Sequence, residues 1–326
     1  MKQIQLLGHG RPEDVCACVE VAEVGPPAAR EVVVALEAAA INPADLLIME
    51  GRYPGPSEFP APIGIEGAGR ILEVGAAVEG LSPGDLVMSL ARSNWAERLR
   101  LAADQVIKLP GDLAVEQAAM LKANPPSAYL MLRDYQSLEP GDWVIQNAAN
   151  SAVGRHVIRL ARARGLHSIN VVRRAALVDE LAEAGGDVVV VDGPDLATAV
   201  HAAAGSDAAI KLGIDAIGGQ ACARLADCLS DTATLVNYGF LSGEPCSISP
   251  HHLIINGITL KGFWLVNFFR GATRSEVEKL YGEMAGLFKD GTLDVPIEAR
   301  YGLADVKQAL AHAGRESRGG KILLSL

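Results

Sequence analysis

The segment between residues 142 and 237 alternates short apolar runs with stretches about the length of one helix. The apolar runs are rich in Val and Ile, which is typical of strands buried on both faces. They read WVIQN, SINVV, DVVVV, AIKLGID and TLVNY. The stretches between them read VGRHVIRLARARG, ALVDELAEAGG, DLATAVHAAAG and ACARLADCLS. A series of βα units predicts an α/β fold with a doubly wound parallel sheet.

The segments on either side of this series have a different pattern. The first third reads as short strands separated by turns, for example EVVVALEAAAI and LSPGDLVMSL. Two helical stretches follow, and we expect the Pro125–Pro126 pair to separate them. After residue 266 a further helical stretch precedes short strands. We therefore predict a nucleotide-binding domain at 119–265, inserted between the two parts, 1–118 and 266–326, of a β-rich domain.

The turn NAANSAVG, residues 147–154, joins the first apolar run to the first helical stretch. The dinucleotide fingerprint GxGxxG here reads Ala-x-Ser-x-x-Gly, so only the glycine that lets helix and strand pack closely is kept. A serine can donate to a phosphate oxygen, and a helix N-terminus presents free N–H groups to an anion. An ordinary strand-to-helix turn is the alternative, but its place in the first βα unit favours nucleotide binding. The predicted contacts are Asn150, Ser151, Ala152, Val153 and Gly154.

The end of the second predicted strand indicates which dinucleotide binds. An NAD site usually has an acid there, which accepts a hydrogen bond from the ribose 2′-hydroxyl. This chain has Arg173 and Arg174 instead. Guanidinium groups bind a 2′-phosphate by charge-assisted hydrogen bonds, although two solvated surface arginines would give the same pattern. We therefore predict NADP(H) as the cofactor.

Charge and cysteine content exclude several classes of protein. The formal net charge of −10 argues against a nucleic-acid binder, which needs a basic face. The five cysteines form no CxxC pair, so free thiols in a reducing cytoplasm are expected. No apolar run reaches the roughly 18–20 residues of a membrane helix, and no signal peptide is visible. We expect a cytoplasmic protein that binds neither nucleic acid nor membrane.

Several segments carry a resemblance to a known family. They are KANPPSAYLMLRDYQSLEPGDWVIQNAANSAVGRHVIRLARARGLHSINVVRR, INPADLLIMEGRYP, PIGIEGAGRILEVG, VNYG and LKGFWL. With them the chain resembles the trans-2-enoyl thioester reductases of the medium-chain dehydrogenase/reductase superfamily, whose best-known members are mitochondrial. The resemblance implies a GroES-like catalytic domain around a Rossmann domain, a homodimer, and reduction of an enoyl thioester double bond by NADPH. Because no transit peptide is visible, we expect a bacterial cytoplasmic enzyme.

The positions of the superfamily's catalytic zinc ligands, which are Cys, His and Cys, hold other residues here. Aligned by motif, they are Asn42, Ile65 and Ala123, and none offers a thiolate or imidazole. Glu66 remains, but one carboxylate does not make a zinc site. The pair His251–His252, if extended, would point to opposite faces. We predict that the protein holds no zinc.

The resemblance also implies roles for individual residues. It places the family's catalytic tyrosine at Tyr53, as proton donor or holder of the thioester, with Asn42 as an orienting group. Packing would equally explain Tyr53, and an Asn-Pro turn would explain Asn42. The remaining expected cofactor or pocket contacts are Tyr238, Gly239, Phe263, Trp264 and Lys321.

Two alternatives remain open. An NADPH:quinone or enone oxidoreductase would share the fold, the cofactor and the absence of zinc. Typical quinone reductases have a turn richer in glycine, which favours the enoyl thioester. A non-catalytic NADPH-binding protein would keep the turn and Arg173 but would not need Tyr53.

Overall fold

The computed structural model describes residues 1–315 and 318–326. The strands are β1 (Lys2–Leu6), β2 (Cys16–Glu20), β3 (Glu31–Ala40), β4 (Ala61–Pro62), β5 (Ala68–Val74), β6 (Leu86–Ser89), β7 (Arg98–Ala102), β8 (Val106–Lys108), β9 (Trp143–Gln146), β10 (His167–Val172), β11 (Val188–Val191), β12 (Ile210–Asp215), β13 (Thr234–Asn237), β14 (Thr259–Gly262), β15 (Ile297–Gly302) and β16 (Lys321–Ser325). The α-helices are α1 (Pro12–Val15), α2 (Pro43–Met49), α3 (Val115–Ala118), α4 (Asn124–Asp134), α5 (Ala152–Ala163), α6 (Val178–Glu183), α7 (Leu196–Ala204), α8 (Gly219–Asp227), α9 (Pro250–Ile254), α10 (Leu265–Gly271), α11 (Arg274–Lys289) and α12 (Val306–Ala313).

The chain divides into two compact units. Unit 1 combines Met1–Ala123 with Thr273–Leu326, and unit 2 is Asn124–Ala272. The predicted domain limits, 1–118 with 266–326 and 119–265, remain a prediction. The range 119–265 ends at the first residue of α10, although the whole of α10 lies in unit 2. The range 266–326 includes two residues outside the described part of the chain.

Unit 2 contains the predicted series of βα units. Its described strands form one parallel sheet in the order β11-β10-β9-β12-β13-β14. The strand order reverses between β9 and β12, where open α/β sheets bind ligands outside the carboxyl ends of the strands. Both faces of the sheet are covered by α-helices whose apolar residues recur every three or four positions. In α5 these are Val153, Val157, Ile158, Leu160 and Ala161, all buried.

One local expectation in unit 2 was wrong. Pro125 and Pro126 do not separate two helices but lie in the first turn of α4. The N–H groups of a first turn have no partner within the helix, so proline costs no hydrogen bond there. The pattern around a proline pair alone cannot distinguish a break from such a start.

Unit 1 is rich in antiparallel strands. The order β2-β1-β4 gives one small sheet, and β15-β16-β3-β5-β6-β8 gives the larger one, with β7 also paired to β3. In the larger sheet β16 runs antiparallel to β3, so early and late parts of the chain share one layer. Apolar side chains from both parts form a common core, among them Ile4, Met49, Trp95, Leu310 and Ile322. The predicted fold class, a doubly wound parallel sheet inserted into a β-rich unit, is confirmed.

Among the helices of the described residues, none combines the length and the apolar character needed to cross a membrane.

Candidate functional site

The glycine-poor turn of unit 2 is held by its own side chains. Ser151 is the N-cap of α5, and its Oγ accepts a hydrogen bond from the Gly154 N–H at 3.1 Å. A Cβ on Gly154 would lie 2.5 Å from the Ala149 carbonyl oxygen, so only glycine allows this approach of helix to strand. Ala148 adopts φ +48°, a left-handed conformation that is uncommon for alanine. The first-turn N–H groups, including those of Ala152 and Val153, have no carbonyl partner within the helix.

A buried polar pair connects this turn to the sheet. The Gln146 Nε2 donates to the Gly154 carbonyl and to Asn170 Oδ1, at 2.8 Å each. This pair joins β9, α5 and β10 below the turn. Sequence analysis missed both residues, although an amide within an apolar strand pattern was a visible signal.

Arg173 and Arg174 directly follow β10, and both side chains are exposed. Nearby, Arg155 donates to the Asn150 carbonyl at 3.3 Å and forms an ion pair with Glu180. The two arginines predicted to read a 2′-phosphate therefore follow the carboxyl end of the strand that the fingerprint requires. Their role in binding stays a prediction.

A second polar group, here called the amide cluster, comprises Asn147, Asp215 and Asn237 at the carboxyl ends of β9, β12 and β13. The Asn147 Nδ2 donates to Asp215 Oδ1 at 2.6 Å, and the Asn237 Nδ2 donates to Oδ2 at 2.8 Å. The backbone N–H groups of Ile217 and Gly218 also donate to this carboxylate, at 2.9 and 3.1 Å. Sequence analysis missed Asp215, although an acid that ends an apolar strand was a signal.

Tyr238 and Gly239 follow β13 directly. The Tyr238 side chain hydrogen-bonds to Ser151, and burial raises the pKa of its hydroxyl above the usual range. A Cβ on Gly239 would lie 2.6 Å from the Ala216 carbonyl oxygen. Two residues predicted to contact the cofactor, Tyr238 and Ser151, are thus neighbours.

Phe263 and Trp264 follow β14, and both are half-buried. The Phe263 ring meets Tyr135 edge-on, with centroids 6.1 Å apart. The Arg270 guanidinium lies over the Trp264 ring at 5.1 Å. Neither aromatic is a fully buried core residue, so a pocket role stays a prediction for both.

In unit 1 the three positions of the superfamily's zinc ligands meet around Glu66. The Asn42 Nδ2 donates to Glu66 Oε2 at 2.6 Å, and the Ala123 N–H donates to Oε1 at 2.7 Å. Lys321 in turn donates from its Nζ to Asn42 Oδ1. Asn42, Glu66 and Lys321 are all buried. Lys321, predicted among the cofactor contacts, thus lies in unit 1 beside Asn42.

A second buried ammonium group lies close to the first. The Lys122 Nζ donates to the carbonyl groups of Ile65, Leu90 and Ala91, at 2.7, 2.8 and 2.6 Å. Asn42, Glu66, Lys122 and Lys321 are here called the ammonium cluster. Burial lowers the pKa of Lys122 to about 7 and also lowers that of Lys321, while Glu66 opposes both shifts.

Asp45 lies at the edge of the ammonium cluster. It accepts hydrogen bonds from the N–H groups of Asn42 and Ile65 at 2.8 and 3.0 Å. Burial raises the pKa of its carboxyl group to about 7, although these two hydrogen bonds act in the opposite direction. Asp45 and Lys122 can both change protonation near neutral pH, and sequence analysis singled out neither.

Tyr53 lies in the loop that follows α2, half-buried against the core of unit 1. The Arg92 guanidinium donates to the Pro54 carbonyl at 2.7 Å and so supports the same loop. Asn42 immediately precedes α2, at the opposite end of this helix. The structure places both predicted catalytic residues in unit 1.

The histidine pair is arranged differently from our expectation. His251 and His252 lie in α9, not in an extended segment. The His252 Nδ1 lies 3.0 Å from Ser249 Oγ, and its Nε2 lies 2.9 Å from a carboxylate oxygen of Asp227. His252 therefore holds the start of a short helix.

Comparisons with known proteins match this arrangement. An alcohol dehydrogenase GroES-like domain model matches residues 28–121, and a zinc-binding dehydrogenase model matches residues 152–285. The mitochondrial enoyl-[acyl-carrier-protein] reductase of Dictyostelium discoideum is 33% identical, over 100% of this chain and 95% of its own length.

Two solved structures have a fold similar to that of this chain over its whole length. The complex of Etr1p, from Candida tropicalis, with NADP and crotonyl-CoA has a TM-score of 0.87 and 25% identity, covering 100% of this chain and 99% of its own. The Escherichia coli quinone oxidoreductase complexed with NADPH has a TM-score of 0.89 and 26% identity, covering 100% of both chains. Fold and site define a protein of the medium-chain dehydrogenase/reductase superfamily. Within it, this chain belongs to the enoyl-[acyl-carrier-protein] reductase family of the mitochondrial type, which confirms the resemblance.

Proposed function

We propose that this protein uses NADPH to reduce an activated carbon–carbon double bond, that of a trans-2-enoyl thioester. The observation that carries the type of reaction is the ammonium cluster. Asn42 and Ala123 stand where zinc-dependent relatives have thiolates, and both donate to Glu66. Without a Lewis acid to stabilise an alkoxide, such a site is poorly suited to alcohol oxidation but suits hydride addition to a polarised alkene. The full-length similarity to enoyl reductases favours the thioester.

Three features of unit 2 are suited to binding NADPH. The Ser151-capped start of α5 offers N–H groups to a pyrophosphate. Gly154 keeps the close approach of helix to strand that the fingerprint needs. Arg173 and Arg174 follow β10, where a 2′-phosphate would be recognised.

When bound, NADPH supplies a hydride. We assign the remaining chemistry to unit 1. The Tyr53 hydroxyl donates a proton or a hydrogen bond to the substrate as charge develops on the thioester carbonyl oxygen. Asn42 orients the site, because its amide is itself fixed by Glu66 and Lys321.

The direct test measures NADPH oxidation by the purified protein. A series of trans-2-enoyl-CoA esters of increasing chain length is compared with quinones and simple enones. We expect the highest kcat/KM for an enoyl-CoA. Turnover of no alkene at all would contradict the proposal and favour a non-catalytic NADPH-binding protein.

A second candidate is an NADPH:quinone or enone oxidoreductase. It is favoured by the TM-score of 0.89 to the Escherichia coli quinone oxidoreductase. The same substrate panel separates the two, because a quinone reductase would prefer a quinone over every thioester.

We further propose a homodimer in the cytoplasm. Within the described residues β14 ends its sheet, and Ile254 and Ile255 nearby in sequence are 75% and 67% exposed. A second copy would cover an edge strand and an apolar patch of this kind. The cytoplasm is supported by the five cysteines, which form no CxxC pair and fit free thiols in a reducing compartment. Light scattering should give twice the chain mass, and Ile254→Lys combined with Ile255→Lys should give a monomer. A monomeric wild-type protein would contradict the dimer.

A further inference from the structure

Two cysteines lie together beside the amide cluster. Cys222 is buried in α8, and Cys246 is exposed in the irregular segment between β13 and α9. Their Sγ atoms and a carboxylate oxygen of Asp215 all lie within 4.8 Å of one another. The two thiols are therefore direct neighbours, and both lie beside the Asp215 carboxylate.

The hydrogen bonds of Asp215 argue against a metal ion at this place. Its carboxylate already accepts from the side-chain amides of Asn147 and Asn237 and from the N–H groups of Ile217 and Gly218. A carboxylate has about four lone-pair sites, so a metal would have to displace one of these donors. Burial and the nearby Asp215 raise the pKa of Cys222, which opposes the thiolate form that binds metals.

The segment that precedes Cys246 is held close to the start of α8. The Gly219 N–H at the start of α8 donates to the Pro245 carbonyl at 3.1 Å. The Ser242 Oγ donates to the Ile217 carbonyl at 2.6 Å. These bonds hold the segment against the helix that carries Cys222, so an oxidised Cys246 would have a thiol neighbour in place.

We propose that Cys222 and Cys246 form a modification site that a peroxide closes to a disulfide. The exposed Cys246 reacts first; burial and Asp215 raise its pKa, so it reacts through the small fraction that is thiolate, and the reaction is faster at higher pH. Its sulfur attacks a peroxide oxygen, the O–O bond breaks, and Cys246 sulfenic acid forms with release of hydroxide. The Cys222 sulfur then attacks the sulfenic sulfur and loses its proton, and the oxygen leaves as water. In sum, two thiols and one hydrogen peroxide give one disulfide and two waters, a two-electron oxidation.

The disulfide would have two local consequences. It ties the segment that follows Tyr238 and Gly239 covalently to α8. It also replaces two thiol groups beside the Asp215 carboxylate with a disulfide. Oxidation therefore acts on the carboxyl edge of the sheet without changing a residue of the turn.

The test treats the full chain with hydrogen peroxide, blocks the remaining thiols with iodoacetamide, and analyses a non-reducing digest by mass spectrometry. We expect a linked Cys222–Cys246 peptide that dithiothreitol removes, and a fall from five titratable thiols to three. Cys16 and Cys18 serve as internal controls, because side chains two residues apart on a strand point the same way and keep their Cβ atoms roughly 6.5 Å apart, beyond the roughly 4 Å of a disulfide.

Matched variants make the result decisive. Cys246→Ser should abolish the linked peptide, whereas Cys228→Ser should retain it. Treated wild-type protein that keeps all its thiols, or that carries Cys246 sulfinic acid beside a free Cys222, would overturn the proposal. Stoichiometric binding of Zn²⁺ by the reduced protein, lost in Cys246→Ser, would instead identify a metal site.

Discussion

In each unit a buried carboxylate is held by hydrogen bonds, but the groups around it differ between the two units. Asp215 in unit 2 and Glu66 in unit 1 are both 0% exposed. Asp215 accepts hydrogen bonds from neutral amide and backbone N–H groups. Glu66 also accepts from an amide and a backbone N–H, but the ammonium groups of Lys122 and Lys321 act on it as well.

The two carboxylates differ in whether the groups around them change protonation near neutral pH. Amide and backbone N–H groups do not titrate, so the donors around Asp215 are the same at every ordinary pH. Around the ammonium cluster, Asp45 and Lys122 both have pKa values of about 7. Protonation can therefore redistribute within unit 1 near neutral pH, where proton transfer to a substrate is proposed, whereas the donors of the amide cluster do not titrate.

The largest effect expected from this division concerns Tyr53. Tyr53→Phe removes the hydroxyl but keeps the ring that packs against the core of unit 1. Positioned acid–base groups contribute about 10²–10⁴ in rate, so kcat on the best alkene should fall by that factor. The Kd for NADPH, measured by fluorescence, should stay unchanged because the contacts to its phosphates and ribose are assigned to unit 2. Near-normal turnover would remove Tyr53 from the mechanism, and loss of NADPH binding would show that the two functions are not divided between the units.

The reciprocal change is Arg173→Ala in unit 2. Losing a charge-assisted hydrogen bond costs about 1.5–3 kcal/mol, so NADPH should bind about 10- to 150-fold more weakly while NADH changes little. Titration of both cofactors measures the difference. Lys211→Ala is the matched control, because Lys211 pairs with Asp142 near the amino ends of β12 and β9. Equal weakening for both cofactors would show that Arg173 does not read the phosphate.

A smaller effect should appear in the pH dependence of stability. Between pH about 4 and 7 folded Asp45 keeps a proton that the unfolded chain has lost, because its pKa rises to about 7 on folding. The stabilising contribution of this group is therefore complete at acid pH and is lost as pH rises towards 7, by at most about 1.4 kcal/mol per pH unit.

Asp45→Asn should remove this slope. Thermal unfolding of both proteins from pH 4.5 to 7 measures it, and the advantage of wild type over the variant should shrink as pH rises. Asp45 also acts on Lys122, but the pKa shift of Lys122 affects stability above pH 7, outside the range compared. Parallel profiles would mean that Asp45 is already ionised in the folded protein, and the contrast between the two clusters would then weaken.

The smallest expected effect is that of metal removal. Since Asn42, Ile65 and Ala123 offer no zinc ligand, prolonged chelation should leave kcat/KM unchanged. Emission spectroscopy should find no stoichiometric zinc in the purified protein. A zinc alcohol dehydrogenase treated in parallel serves as the positive control. Activity that chelation removes and zinc restores would contradict the assignment of the ammonium cluster as metal-free.

The features that sequence predicted well are local in the chain. The strand, turn and helix around Ser151 and Gly154 span few residues, and Arg173 follows at the spacing that one βα unit imposes. His251–His252 could also have been predicted correctly, because Ser249–Pro250 is a helix start with proline in the first position.

Features that depend on distant pairing could not be predicted. Lys321 and Asn42 are 279 residues apart, and they meet because β16 runs antiparallel to β3. Lys122 lies beside the carbonyl groups of Leu90 and Ala91, which a helical pattern around residue 120 does not encode. Hydrophobic periodicity specifies which face of an element is buried, but not which polar groups of other elements it meets.

The pairing of β16 with β3 also has a consequence for the order in which the units can form during synthesis. Unit 2 is one continuous segment, so all of its strands have been made once Ala272 has been added. Unit 1 begins earlier on the ribosome but lacks β16, and the Lys321 ammonium, until about fifty further residues have been added. During that interval Asn42 and Glu66 are without this cation. Unit 1 is therefore the first unit whose synthesis begins and the last whose synthesis is completed.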